Sequence, residues 1–218
     1  MKRPALLCPS MMCCDFDRLK EEIIALDQAG CDIFHCDIMD GNYVDNMALS
    51  PYDVKVICNN TEKLVDVHLM VNNTDLVCGI YLNSDVDIIY IHPFTTRFPS
   101  KLLINIKEAN KKAGIAINPH EPLSMFIELL PLCDYVMVMT VNPGFAGQNY
   151  INAVDHKIAE LIKLKKKYNF KIILDGACSP TVIKNHANDG VDGFILGTAT
   201  LFNKPLSYSD IIAELRNY

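Results

Sequence analysis

Eight short apolar runs alternate with eight amphipathic stretches along this chain, and that alternation limits the possible folds more than any single motif. The runs cover residues 6–10, 33–37, 64–68, 88–92, 114–118, 135–139, 171–175 and 193–197. Each is short and largely apolar, as expected of strands buried on both faces. Helical periodicity follows each run, starting near Phe16, Pro51, Asp75, Ser100, Leu123, Val154, Ser179 and Tyr208. Eight strand–helix units of about 27 residues each predict α/β architecture, a single (β/α)8 TIM barrel domain over residues 1–218. A doubly wound open sheet is the alternative, but eight complete units ending in a helix favour closure. No linker, low-complexity tract or shift in composition divides the chain.

Composition narrows the function. Half of the 218 residues are hydrophobic, enough for a sizeable core, and the net charge of −6 argues against a general nucleic-acid surface. No apolar stretch is long enough for a transmembrane helix. The basic start, Met1-Lys-Arg-Pro, precedes an apolar segment too short for a signal-peptide core, so cytoplasmic residence is expected. The nine cysteines are irregularly spaced, with no Cys-x-x-Cys pair. They read as reduced thiols packed as small hydrophobes, and Cys13-Cys14 as packing or loop. Ile158, Leu161, Ile162 and Leu164 form a buried helical stripe, with Lys163, Lys165, Lys166 and Lys167 as its solvated flank.

Barrel enzymes react at the C-terminal ends of their strands, where Ser10, His35, Asp37, His68, Asp175 and Gly197 fall here. His35 and Asp37 are two apart in a strand and share a face. His68 and Asp175 end two further strands. Taken singly, a strand-end His is an ordinary hydrogen-bonded residue, and an Asp before Gly is an ordinary turn residue. Together, two imidazoles and two carboxylates on one rim make a metal set of His35, Asp37, His68 and Asp175. It suits one divalent ion per chain, Zn²⁺, Fe²⁺, Mn²⁺ or Co²⁺, with Mg²⁺ kept as a further option. A carboxylate in such a set can also move protons. His156 and His186 fall in helical stretches and read as exposed, and His120 reads as a loop residue. His92 ends a strand, but Pro93 after it reads as a turn, which weighs against a functional role.

Three loops can bind an anion. The segment 139–148 carries Pro143, Gly144 and Gly147 around Phe145 and Ala146. Gly176-Ala177 and Gly197-Thr198 follow two later strands. Such loops present backbone N–H groups that can hold phosphate without Lys or Arg. A single loop of this kind is usually only a turn, but three around one rim point to a site.

These residues resemble the ribulose-phosphate 3-epimerase family. The similarity is carried by Cys8-Pro-Ser10, His35-Cys-Asp37-Ile-Met-Asp-Gly41, Asp66-Val-His68-Leu-Met70, Met139-Thr-Val-Asn-Pro-Gly-Phe-Ala-Gly-Gln148, Asp175-Gly176 and Gly197-Thr198, in register from the first strand to Phe202. Leu49-Ser-Pro51, His92-Pro93, Gly144-Phe-Ala-Gly147, Asp175-Gly-Ala-Cys178 and Leu201-Phe-Asn203 look closer to its D-allulose-6-phosphate 3-epimerase branch. Ala146 and Ala177 stand where the pentose-phosphate enzymes more typically have a second Gly.

The resemblance implies a metal-dependent isomerase acting on a ketose phosphate. Asp37 and Asp175 would exchange the C3 proton on opposite faces, and the metal would polarise the C2 oxygen and stabilise an enediolate. It further implies substrate contacts from Ser10 and His68 and from Met39, Met70 and Met139 around the reacting centre. Gly144, Phe145, Ala146, Gly147, Asp175, Gly176, Ala177, Gly197 and Thr198 would surround the rest of the substrate. The expected reaction is D-allulose 6-phosphate to D-fructose 6-phosphate, with D-ribulose 5-phosphate to D-xylulose 5-phosphate as the alternative. A homo-oligomer is expected, with no nucleic-acid or membrane partner. Related barrel decarboxylases and synthases use an Asp-x-Lys-x-x-Asp motif that neither Asp37 nor Asp66 begins. A non-catalytic sugar-phosphate binder would be expected to have lost the acids.

Overall fold

In the computed structural model, which describes residues 4–218, eight strands form one parallel sheet. They are β1 (Leu6–Pro9), β2 (Ile33–Met39), β3 (Leu64–Met70), β4 (Ile88–Ile91), β5 (Lys112–Ile117), β6 (Tyr135–Met139), β7 (Lys171–Asp175) and β8 (Gly193–Leu196). Neighbours run β1-β8-β7-β6-β5-β4-β3-β2. A parallel bridge between Ser10 and His35 brings the two ends of that order together. The expected (β/α)8 TIM barrel is the observed fold. Lys2 and Arg3, on which the reading of the chain's start depends, lie outside the described residues.

Seven α-helices among the described residues cover the sheet. They are α1 (Leu19–Ala29), α2 (Pro51–Cys58), α3 (Thr74–Leu82), α4 (Pro99–Glu108), α5 (Asp155–Tyr168), α6 (Pro180–Asp189) and α7 (Tyr208–Leu215). The helix expected near Leu123 does not form. Two 3-10 turns, Leu123–Met125 and Leu130–Leu132, link β5 to β6 instead. Pro131 has no N–H to donate and disfavours helical geometry at Leu130, so the apolar periodicity there is spent on two short turns. Local chemistry sets the other starts: Ser50 and Asp53 form a capping box at α2, and Ser179 and Ser207 cap α6 and α7. None of these helices is long and apolar enough to cross a membrane.

The core has two layers. Cys8, Ile33, Ile88, Tyr90, Ala116, Tyr135, Met137, Ile173 and Ile195 fill the barrel interior. A larger shell lies between sheet and helices. All nine cysteines are free, and burial raises the thiols of Cys8, Cys36 and Cys178, which suits them to packing. Lys165 departs from the expected solvated flank: its Nζ lies 2.6 Å from Asp192 and donates to Gly190 O at 3.0 Å.

A fourfold device ties the lower rim. Asp32, Asp87, Asp134 and Asp192 precede β2, β4, β6 and β8. Each donates its backbone N–H to the carbonyl of Leu7, Val65, Ala113 or Ile172 in turn. Each side chain then accepts the N–H of that same residue, at 2.7, 2.8, 3.0 and 2.7 Å. Every odd strand is thus clamped to the even strand that follows it, including β1 to β2, where the barrel closes.

Candidate active site

The opposite rim carries the predicted cluster. Successive side chains of a strand alternate faces, so His35, Asp37 and Met39 all point into the barrel mouth from β2. The β2–β3 register sets His35 opposite Asp66, Asp37 opposite His68 and Met39 opposite Met70. The β6–β7 register sets Met139 opposite Asp175. His35, Asp37, His68 and Asp175 converge, with one ligand-type atom from each lying within 4.8 Å of all the others. His35 Nε2 is 3.2 Å from Asp37 Oδ1 and 4.0 Å from Asp175 Oδ2. His68 Nδ1 is 3.4 Å from Asp37 Oδ1 and 3.5 Å from Asp175 Oδ2.

The electrostatics favour a positive charge among these groups. Burial opposes charging of His35, but Asp66 and Asp37 lift it well above the ordinary histidine range. Burial likewise opposes charging of His68, and its hydrogen bonds to Asp175 and Asp37 lift it. Burial works to raise the Asp37 carboxyl, yet the charge and hydrogen bond of His35, with the hydrogen bond of His68, hold it well below the usual range. A cluster that draws protons onto its imidazoles can take a cation in their place. His68 Nδ1 is buried and meets only the Asp37 and Asp175 carboxylates, at the long distances of 3.4 and 3.5 Å, as a nitrogen available to a metal would. The donor set therefore fits a divalent ion, held by Nε2 of His35, Nδ1 of His68 and one oxygen each from Asp37 and Asp175.

A cavity of ≈ 300 Å³ opens above the cluster. Ser10, Met39, Met70, Met139, Gly144, Phe145, Ala146, Gly147, Asp175, Gly176, Ala177, Gly197 and Thr198 all line it. His68 has no solvent exposure and lies below its surface. Ser10 Oγ donates to Asp37 Oδ2 at 2.7 Å, which fixes that carboxylate. The lining has no Lys or Arg, so the donors open to an anion there are backbone N–H groups and neutral side chains such as Asn142 and Thr198. Gly176 and Ala177 have φ of +109° and +47°, a tight reversal that turns the chain past the cavity. The β6 loop is braced by Asn46 Nδ2, which donates to Gly144 O at 2.7 Å, and by Gln148 Nε2, which donates to Phe145 O at 2.8 Å.

Sequence reasoning missed two residues behind the cluster. Asp66 Oδ1 lies 2.5 Å from His35 Nδ1. His92 is buried with Nε2 2.9 Å from Nε2 of His68, beneath the cavity wall. Burial and the charge of His68 hold His92 well below the ordinary range. Cys13 also lines the cavity, with Sγ 4.0 Å from Ser10 Oγ. His156 is exposed as expected, and His120 lies in a turn as expected. His186 is not: its side chain is 13% exposed and its Nε2 is 3.0 Å from the Tyr150 hydroxyl.

Comparison with known proteins agrees with this geometry. The chain is 36% identical over 221 residues to ribulose-phosphate 3-epimerase of Synechocystis sp., covering 100% of this chain and 95% of that one. It is 34% identical over 215 residues to the Escherichia coli (strain K12) protein of the same name, covering 97% and 95%. Among solved structures, a mutant tryptophan synthase alpha-subunit from Pyrococcus furiosus superposes with a TM-score of 0.68, over 99% of this chain and 98% of that one. At 12% identity it shares the fold alone. The sequence profile of the ribulose-phosphate 3 epimerase family matches residues 6–201, and the chain belongs to that family.

Proposed function

We propose that this chain is a metal-dependent ketose-phosphate 3-epimerase that interconverts D-ribulose 5-phosphate and D-xylulose 5-phosphate. One observation carries the reaction class: Asp37 and Asp175, from β2 and β7, flank a shared imidazole, with His68 Nδ1 3.4 Å from one and 3.5 Å from the other. Two carboxylates on opposite sides of one carbon can invert it without a redox cofactor, because the electron pair of the broken C3–H bond stays on the substrate. A divalent ion held by His35, Asp37, His68 and Asp175 would supply Lewis-acid charge that stabilises the negative charge developing on the substrate. One carboxylate takes the C3 proton and leaves an enediolate. The other, protonated, returns a proton to the opposite face. Asp37 is held in the ionised form that a proton acceptor needs, while the same imidazole neighbours lower its basicity. The two roles exchange when the reaction runs backward. Met39, Met70 and Met139 surround the reacting carbon and limit water, and the Gly176-Ala177 and Gly197-Thr198 turns hold the phosphate end.

The five-carbon substrate is supported by the full-length relatives, which are named for it. The six-carbon reading rests on details such as Phe145-Ala146 and Ala177, and no comparison points to D-allulose 6-phosphate. The test is kcat/KM for both ketose phosphates with several divalent metals. A preference of about tenfold or more for D-ribulose 5-phosphate is expected. The reverse preference would return the six-carbon assignment, and turnover of neither would refute the epimerase.

A further inference from the structure

His92 is neither a candidate ligand nor a lining residue of the cavity, although its ring lies against that of His68. It follows β4 on the inward face, two residues beyond Tyr90, which pairs with His68 in the β3–β4 register. Pro93 opens a 3-10 turn directly after it, and Thr95 returns both its N–H and its hydroxyl to the His92 carbonyl, at 3.1 and 2.8 Å. The backbone is therefore held. The ring is held too: its centroid is 5.0 Å from that of His68 and 4.9 Å from that of Tyr43. Tyr43 is fixed in turn, because its hydroxyl accepts from Asn118 Nδ2 at 2.8 Å.

From this geometry we infer that His92 is a positioning residue, which accepts the Nε2–H of His68 and so keeps the Nδ1 lone pair of His68 aimed at the metal. The inference rests on the metal reading of the site. A neutral imidazole carries one proton, on one nitrogen or the other. Nδ1 of His68 can bind a cation only if that proton sits on Nε2. His68 is fully buried, so an Nε2–H without an acceptor would be costly. His92 Nε2, 2.9 Å away, is that acceptor, an arrangement that places the His92 proton on its own buried and unpartnered Nδ1.

The other imidazole is backed differently. His35 offers Nε2 to the cluster and gives Nδ1–H to the Asp66 carboxylate, 2.5 Å away. Asp37, Asp66 and Asp175 already place three carboxyl groups around the two rings. A fourth anion behind His68 would be repelled by them, whereas a neutral imidazole supplies direction without charge. The two histidine ligands are thus oriented by unlike partners, and the neutral one comes from the strand whose Pro93 had argued against a functional role.

The test is cobalt(II) affinity, by competition with a chelator, together with the visible spectrum of the cobalt protein. The full chain is compared with His92→Gln, His92→Asn and His92→Leu. Gln can place an oxygen near the position of Nε2, whereas Asn reaches only the position of Nδ1, and Leu has no acceptor. The wild type should bind one cobalt. Asn and Leu should bind at least about tenfold more weakly with an altered spectrum, and Gln should stay within about threefold. Melting of the metal-free proteins should not separate Gln from Asn, as it would if His92 only filled space. Should Leu fail to fold, the Gln–Asn contrast decides. Wild-type affinity in Asn or Leu, or a loss in Gln equal to that in Asn, would overturn the inference and leave the metal reading intact. A wild type that binds no cobalt would overturn both.

Discussion

Asp66 and His35 face each other directly across the β2–β3 ladder, with Oδ1 and Nδ1 2.5 Å apart and neither residue more than 1% exposed. Burial pushes the Asp66 carboxyl up, and His35 partly offsets this, so the pair depends on each member. A carboxylate behind a ligand imidazole fixes its tautomer and raises its basicity. Asp66→Ala should therefore weaken divalent-metal binding by about 10–100-fold, and Asp66→Asn, which keeps an acceptor, by less. Metal affinity by isothermal titration checks this. Equal affinity in Asp66→Ala and wild type would remove Asp66 from the site.

The ligand set was legible in the sequence because each member lies in the C-terminal part of an apolar run, and period-two alternation tells which residues of one strand share a face. Asp66 and His92 were not legible in the same way. Their roles depend on register between strands: His35 meets Asp66 only because β2 and β3 pair without a shift. Pro93 misled, since the turn it imposes is real yet leaves the preceding ring inside. The missing helix after β5 had its signal in Pro122 and Pro131, which outweighed the periodicity of the leucines between them. The fourfold clamp was written in the repeated Cys-Asp or Val-Asp before β2, β4, β6 and β8, but an Asp at a strand start looks like any turn residue until its partner strand is known. Preference between five- and six-carbon substrates rests on few residues, and branch-like details pulled the reading one way while full-length similarity supports the other.

That clamp makes a prediction far from the chemistry. Asp87 Oδ2 accepts from Val65 N at 2.8 Å, and Asp87 N donates to Val65 O at 2.8 Å. Asp87→Ala removes a charged acceptor from a strand amide and should destabilise the protein by about 1.5–3 kcal/mol. Because the clamp lies at the opposite rim from the cavity, kcat at a permissive temperature should remain that of the wild type. Urea denaturation and steady-state kinetics together check this, and a loss of kcat without a loss of stability would contradict it.

The turn at Gly176-Ala177 predicts opposite effects at adjacent positions. Gly176 has φ +109°, and a Cβ there would lie 2.4 Å from Cγ2 of Val141. Gly176→Ala should cost about 1–3 kcal/mol and raise KM, because the turn lining the cavity must shift. Ala177 already has a Cβ at φ +47°, a left-handed conformation costing about 1–2 kcal/mol for a non-Gly residue. Ala177→Gly relieves that cost but frees the unfolded chain, so the net should be neutral to about 1 kcal/mol stabilising. Thermal melts of both variants check the sign. A destabilised Ala177→Gly would mean that the Ala177 methyl makes contacts worth more than its strain.

The two acids give the sharpest prediction. Asp37 on β2 and Asp175 at the end of β7 both reach His68 Nδ1 from different strands, so each can address one face of a carbon held above it. Asp37 is further fixed by the Ser10 hydroxyl at 2.7 Å. If each acid serves one face, replacing either leaves the other able to remove and return the proton on its own side. Asp37→Asn and Asp175→Asn should each lower epimerisation by at least about 10²-fold. In deuterium oxide each variant should still exchange the C3 hydrogen of one epimer, and the two variants should exchange different epimers. Both acids are also candidate ligands, so metal content must be measured on each protein and the comparison made at equal occupancy. Nuclear magnetic resonance of the recovered ketose phosphates reads the exchange directly. If both metal-replete variants label the same epimer at the same rate, a single base serves both faces, and the second carboxylate is a ligand without a proton to give.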